Sequence, residues 1–167
     1  MPLLAEVMMR IGAPDPLFKG VVTNDDNVLA IDISEEQDAE VDDYAVVQGF
    51  IEGVDAKLNA DSQDKTYIRA GTSTTKVGTQ RTFTAKGDRA IGDEFQDYIF
   101  DRERMYGVGN AVVANYVWFN ALNGKGEKGQ VSIMVDSDGS GNAGETAAIN
   151  VAMNKIGAMP DAYTYAP

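Results

Sequence analysis

The sequence predicts a mainly β chain with a single α-helix set between two groups of strands. Short segments in which apolar residues alternate with polar ones recur from Asn27 to the C-terminus. Clusters of Gly, Asn, Asp and Ser separate them, as tight turns require. The period changes once, in KGDRAIGDEFQDYIF, where Ile91, Phe95, Tyr98 and Ile99 gather on one face of a helix spanning about residues 88–100.

Residues 1–26 hold Pro2, Pro14 and Pro16 among apolar residues without a period, and read as an irregular N-terminal arm. The opening MPLLAEVMMRIGAP is interrupted by Glu6 and Arg10, and has the pattern of neither a secretory core nor a membrane span. Asn27 to Ile33 is a strand with Leu29, Ile31 and Ile33 on one face. The acidic run SEEQDAEVDD at 34–43 follows as an extended loop bearing Glu35, Glu36, Asp38, Glu40, Asp42 and Asp43. Such a run is either a solvated loop or a working surface. Tyr44 to Leu58 reads as a long strand with bends or bulges at Gly49 and Gly53. Lys65–Arg69 and Gly78–Lys86 are further strands, rich in Thr, Tyr and Phe.

Beyond the helix, for which Asp88 is the candidate N-cap, NAVVANYVWFNAL is apolar on both faces. Val113, Val117 and Phe119 point one way, and Val112, Tyr116, Trp118 and Leu122 the other. Such a strand is either sandwiched between sheet and helix or covered by another subunit. NGKGEKG supplies turn chemistry, and Val131, Ile133 and Val135 alternate in the next strand. Ala147, Ile149, Val151 and Met153 alternate again. Ile149, Met153 and Ile156 would also align on a helix, but two alternating segments around a Gly-rich loop make a hairpin. Tyr163 and Tyr165 alternate in the tail, as a short edge strand or a trailing end. With no repeat or linker, 1–167 reads as a single domain.

Composition narrows the function. The chain has neither cysteine nor histidine, which excludes disulfides, thiolate and Ser-His catalysis, and imidazole or sulfur zinc sites. A net charge of −12 repels a phosphate backbone, so tight nucleic-acid binding is not expected, whereas passage of nucleic acid past a non-adhesive acidic wall is physically reasonable.

VDSDGSGNAGE, at 135–145, places Asp136, Asp138 and Ser140 where a calcium loop would put its first ligands. The twelfth position, which should be a bidentate Glu, is Ala147, and Glu145 comes two residues early. The segment therefore reads as a hairpin loop, and no metal or cofactor is expected. A carboxylate-dependent hydrolase would need paired acids at a set spacing, and Asp93 and Glu94 do not stand out against the general acidic excess.

From Gly78 to Tyr165 the order of features resembles the major tail tube proteins of long, non-contractile-tailed phages. The resemblance rests on VGTQRTFTAKGDRAIGDEFQDYIF as strand, turn and helix, NYVWFNALNGKGEKGQVSIMV as a strand hairpin, and DSDGSGNAGETAAINVAMNKIGAMP as loop and closing strand. It implies a β-sandwich or partly closed barrel with one flanking helix, and a structural virion protein without enzymatic activity. Six copies would close into a ring and rings stack into a hollow tube, assembled in the bacterial host cytoplasm around a tape-measure protein. The tube would meet tail-tip and tail-terminator proteins at its ends and conduct DNA without binding it specifically or inserting into a membrane. Under this resemblance the assembly candidates are Tyr116, Trp118 and Phe119, covered by the ring neighbour, and the run from Glu35 to Asp43, reaching the adjacent ring or bordering the lumen. Trp118 is alternatively a core anchor, and the acidic run alternatively a solubilising loop. The competing function is a secreted β-sandwich module binding carbohydrate or an adhesion ligand through a calcium-type loop and Tyr163 or Tyr165.

Overall fold

Alternation at period two builds the main sheet, because its long strands bury one face against one core and turn the other to solvent or a second core. The computed structural model describes residues 3–157 and 159–166. Its strands are β1 (Asn27–Ile31), β2 (Ala45–Val46), β3 (Ile51–Lys57), β4 (Asp61–Tyr67), β5 (Gly71–Gly78), β6 (Thr82–Asp88), β7 (Val113–Asn120), β8 (Lys125–Ser137), β9 (Ala148–Lys155) and β10 (Asp161–Thr164). Helices α1 (Leu4–Ile11), α2 (Glu94–Ile99) and α3 (Arg102–Tyr106) complete it.

The main sheet is antiparallel in the order β2-β1-β7-β8-β9-β6-β3, with β10 pairing the start of β8 beyond the end of β9. It curls into a half-barrel. The fold is thus mainly β with a partly closed barrel, as expected. Two register shifts help it bend, one at Ile51/Gly53 in β3 and one at Val135/Ser137 in the 13-residue β8. The first lies at Gly53, a position the sequence marks for a bulge. Gly126 permits the tight pairing of β7 with β8, since a Cβ there would strike the Trp118 carbonyl and Phe119 Cα.

Every pairing is antiparallel, so the half-barrel has two distinct ends. At one, called the upper here, β1 and β6 finish and β3 and β9 begin; at the lower end β3 finishes at Lys57 opposite Thr82, where β6 begins. Inside the curl, Leu29, Ile31, Phe83, Tyr116, Ile133 and Val151 form the main core, closed by Phe95 and Ile99 of α2. Phe83 packs edge-on to Tyr116 with ring centroids 5.4 Å apart.

The helix between the strand groups starts later than the sequence suggests. Asp93, not Asp88, caps it by accepting from the Gln96 N–H at 3.1 Å, and Asp88 ends β6. Ile91 therefore lies outside the helix and is exposed. The irregular arm expected for 1–26 contains α1. Its Leu4, Val7 and Met8 recur at helical spacing and bury themselves, and Pro14 and Pro16 lie beyond its end. The long strand expected from Tyr44 to Leu58 is broken into β2 and β3 by a turn at residues 47–50. The choice of strand for residues 148–155 agrees with β9.

Candidate assembly interface

The doubly apolar strand β7 sits where two cores meet. Ala114 and Tyr116 face the half-barrel interior, while Val117 and Phe119 face a second core on the sheet's outer side. That second core is made by both ends of the chain. Leu4, Val7 and Met8 of α1 join Val28, Ala30 and Val46, and Tyr163 and Tyr165 lie against Phe119 with centroids 5.6 Å away, the Tyr165 ring parallel to it. Burial, and then the nearby Asp42 carboxylate, push the Tyr163 phenol up to about 12.

The expectation that a ring neighbour covers Tyr116 and Phe119 is corrected by this arrangement. Each is only 1% exposed within the single chain. Tyr116 is enclosed by the main core around Phe83, and Phe119 by the second core that α1 and the C-terminal tyrosines complete; α1 is the element missing from the sequence expectation. Trp118 keeps an open side. It packs partly on the main core, with the Arg81 guanidinium 5.6 Å from its ring, and lines a cleft of about 310 Å³ between β1 and β3. Arg81 also pairs with Glu127 at 2.7 Å.

The acidic run is not an extended loop. Gln37 ties it down: its Nε2 donates to the carbonyls of Asp32 (3.1 Å) and Ser34 (2.8 Å) and lies 2.9 Å from the Tyr98 hydroxyl. Its Oε1 accepts from the Asn115 N–H at 2.8 Å, and its carbonyl from Asn115 Nδ2 at 2.8 Å. A 3-10 turn at Val41–Asp43 completes the fixed path. Glu35, Glu36, Asp38, Glu40, Asp42 and Asp43 all remain exposed, and among the described residues none of them is in an ion pair. The run leaves β1 at the upper end, beside α2.

The extended element is the hairpin β4–β5, which the sequence showed only as one strand at Lys65–Arg69. Its two strands pair with each other and not with the main sheet, and every residue from Asp61 to Val77 is exposed. It springs from the lower end, between Lys57 and Thr82. At about 3.3 Å per residue it reaches roughly 25 Å.

At the upper end, Gln96 is wholly buried and joins three chain segments. Its Oε1 accepts from the Ala90 N–H at 2.8 Å, and its Nε2 donates to the Gly49 and Asp88 carbonyls at 3.1 and 3.0 Å. Asp93 is partly buried beside it, and desolvation raises its carboxyl above the usual range although the Gln96 N–H pulls the other way.

In the 135–145 loop, Asp136 Oδ2 accepts from Asn150 at 3.3 Å and Glu145 Oε2 from the Asn142 N–H at 3.0 Å. Asp138 and Ser140 are exposed, and among the described residues no group of three or more acidic side chains is placed to hold a metal. No described helix is long and apolar enough to cross a membrane.

No protein-family model matches the chain, and no curated protein does. Solved structures do share the fold. One is a chain from the tail of an empty gene transfer agent (GTA) particle refined with C6 symmetry: it is 17% identical with a TM-score of 0.56, the match covering 87% of this chain and 100% of that one. Another belongs to the virion of a native gene transfer agent particle, 18% identical with a TM-score of 0.54 and the same coverage.

Proposed function

We propose that this chain is a structural subunit of a phage-like tail tube, in which copies close into six-membered rings and the rings stack into a hollow conduit. The observation that carries the reading is the fold likeness to a chain of a gene transfer agent tail and a chain of a gene transfer agent virion, which takes in the whole of each of those chains and all but a small part of this one. A half-barrel with two distinct ends and an arm at one of them also suits a part that repeats along an axis, because contacts between unlike ends propagate. The function is mechanical and the chain is not an enzyme. The tube surrounds a tape-measure protein, ends on tail-tip and terminator proteins, and belongs to the virion after assembly in the host cytoplasm. A net charge of −12 lets DNA pass without adhering.

Negative-stain electron microscopy of the concentrated protein tests this reading. Hollow filaments or six-fold rings of uniform diameter are the expected result. A field that stays monomeric at every salt level, with tail-tip proteins added, would overturn it.

A further inference from the structure

The turn from β7 to β8 contains Asn123–Gly124, the one Asn-Gly pair in the sequence. Such a pair carries its own electrophile and nucleophile. The Gly amide nitrogen attacks the Asn side-chain carbonyl carbon, unhindered because glycine has no Cβ. Its proton leaves with the side-chain NH2 as ammonia, and a succinimide ring closes. Water then opens the ring at one carbonyl or the other, giving Asp, or isoAsp with the main chain routed through the side-chain carbon.

This turn readies the electrophile and withholds the nucleophile. The Lys125 N–H donates to Asn123 Oδ1 at 2.9 Å, which polarises the side-chain carbonyl as a donor to a developing oxyanion does. Asn123 is only half-buried, so water can reach the ring. The Gly124 N–H, by contrast, donates to the Asn120 carbonyl at 2.7 Å, and the proton that must leave is held there. Both chain ends keep the lock shut. The Tyr165 N–H donates to the Gly124 carbonyl at 2.7 Å, and the Asp15 N–H to the Leu122 carbonyl at 2.8 Å. Pro14 presses on Gly124, since a Cβ added there would lie 3.0 Å from the proline Cβ. Asn120 is tied in turn, its Oδ1 accepting from the Leu122 N–H at 2.8 Å and its Nδ2 donating to Asn27 Oδ1 at 3.2 Å.

We propose that Asn123 is a spontaneous deamidation site, held dormant while the two chain ends are seated and reactive when they lift. Opening of the ends exposes the turn without unfolding the main core, and so needs less than the global free energy. The reaction runs one way. It adds a carboxylate to a chain already at −12, and the isoAsp form lengthens the main chain beside a buried Gly124 that Pro14 and Tyr165 grip. A copy that has let go of its ends is thereby marked and cannot seat its tail again. The site belongs to the single chain and does not depend on assembly.

Peptide mass spectrometry after incubation at mildly alkaline pH is the test, with Asn110 and Asn142, each followed by Ala, as internal references. In urea Asn123 should convert faster than either reference, and in the native protein roughly tenfold or more slower than in urea. Tyr165→Pro, which deletes the N–H that clasps Gly124, should recover most of that rate at Asn123 while Asn110 and Asn142 keep their native rates. Because that variant could unfold outright, hydrogen exchange on the wild type accompanies it: across low urea concentrations, exchange at the Gly124 amide and deamidation at Asn123 should rise in parallel. The deamidated fraction, separated by ion exchange, should lose amide protection in β10 and keep it in β6 and β9. Native protein converting as fast as unfolded chain would overturn the lock, and Asn123 no faster than Asn142 in urea would overturn the site. Deamidation that stays flat while the Gly124 amide exchanges would remove the role of the chain ends, and a deamidated fraction with β10 still protected would remove the mark.

Discussion

Gln96 shows how much one polar side chain contributes when it is fully enclosed. Its amide satisfies an N–H at Ala90 and carbonyls at Gly49 and Asp88, all in partly buried surroundings, while Gln96 itself is wholly buried. Gln96→Leu keeps the volume and removes those bonds, so it should cost about 2 to 4 kcal/mol in urea unfolding. Tyr163 contributes differently. Its phenol titrates at about 12, above the ordinary 10.0, because burial and Asp42 disfavour the phenolate. The neutral form is favoured by folding, so this stabilisation is complete below pH 10 and disappears as pH rises through 12. Absorbance at 295 nm should show a component ionising near pH 12 that Tyr163→Phe removes, and in the native protein its appearance should accompany loss of the second core.

Among elements, α1 is the piece most easily underrated. Its eight residues are short for an isolated helix, and it holds its form through Leu4, Val7 and Met8 packed on the outer face of β1 and β7. Leu4→Ala should destabilise by about 2 to 4 kcal/mol. Hydrogen exchange should localise the effect to α1, β2 and β10, with β6 and β9 protected as before. The strands were readable in the sequence where apolar residues alternate with polar ones, as in β8 and β9, whereas β1 is buried on both faces and showed only its Leu29 and Ile31 side. The hairpin β4–β5 was half hidden because its Thr- and Ser-rich strands bury nothing and so carry no apolar alternation. Helix α2 was legible from Phe95 and Ile99, but its start depended on which aspartate turned inward as the cap, and that follows from the packing of Gly49 against Asp93.

For the whole molecule the decisive quantity is charge. Copies at −12 repel one another at long range, while any pairing of opposite charges across a contact attracts only at short range. Salt separates the two, because the Debye length falls from about 30 Å at 0.01 M to about 8 Å at 0.15 M and about 3 Å at 1 M. Association measured by sedimentation velocity should therefore rise from low to physiological salt, as repulsion is screened first, and fall again near 1 M. A steady fall from the lowest salt upward would mean that contact pairs dominate throughout, and a steady rise that apolar contact alone holds the copies together.

Period, turn residues and composition were enough to give the strand-rich class, the helix between the strand groups, the bulge at Gly53, the hairpin around 135–145 and the absence of thiol and imidazole chemistry. These features are local. What encloses Tyr116 and Phe119, where the acidic run lies and which segment projects came from the packed molecule. Each of these depends on which distant segment arrives at a surface, as when the two ends of the chain meet over Phe119 or Gln37 reaches Asn115. Residues of one segment do not encode such a meeting, because an apolar face states that it must be buried and leaves open by what.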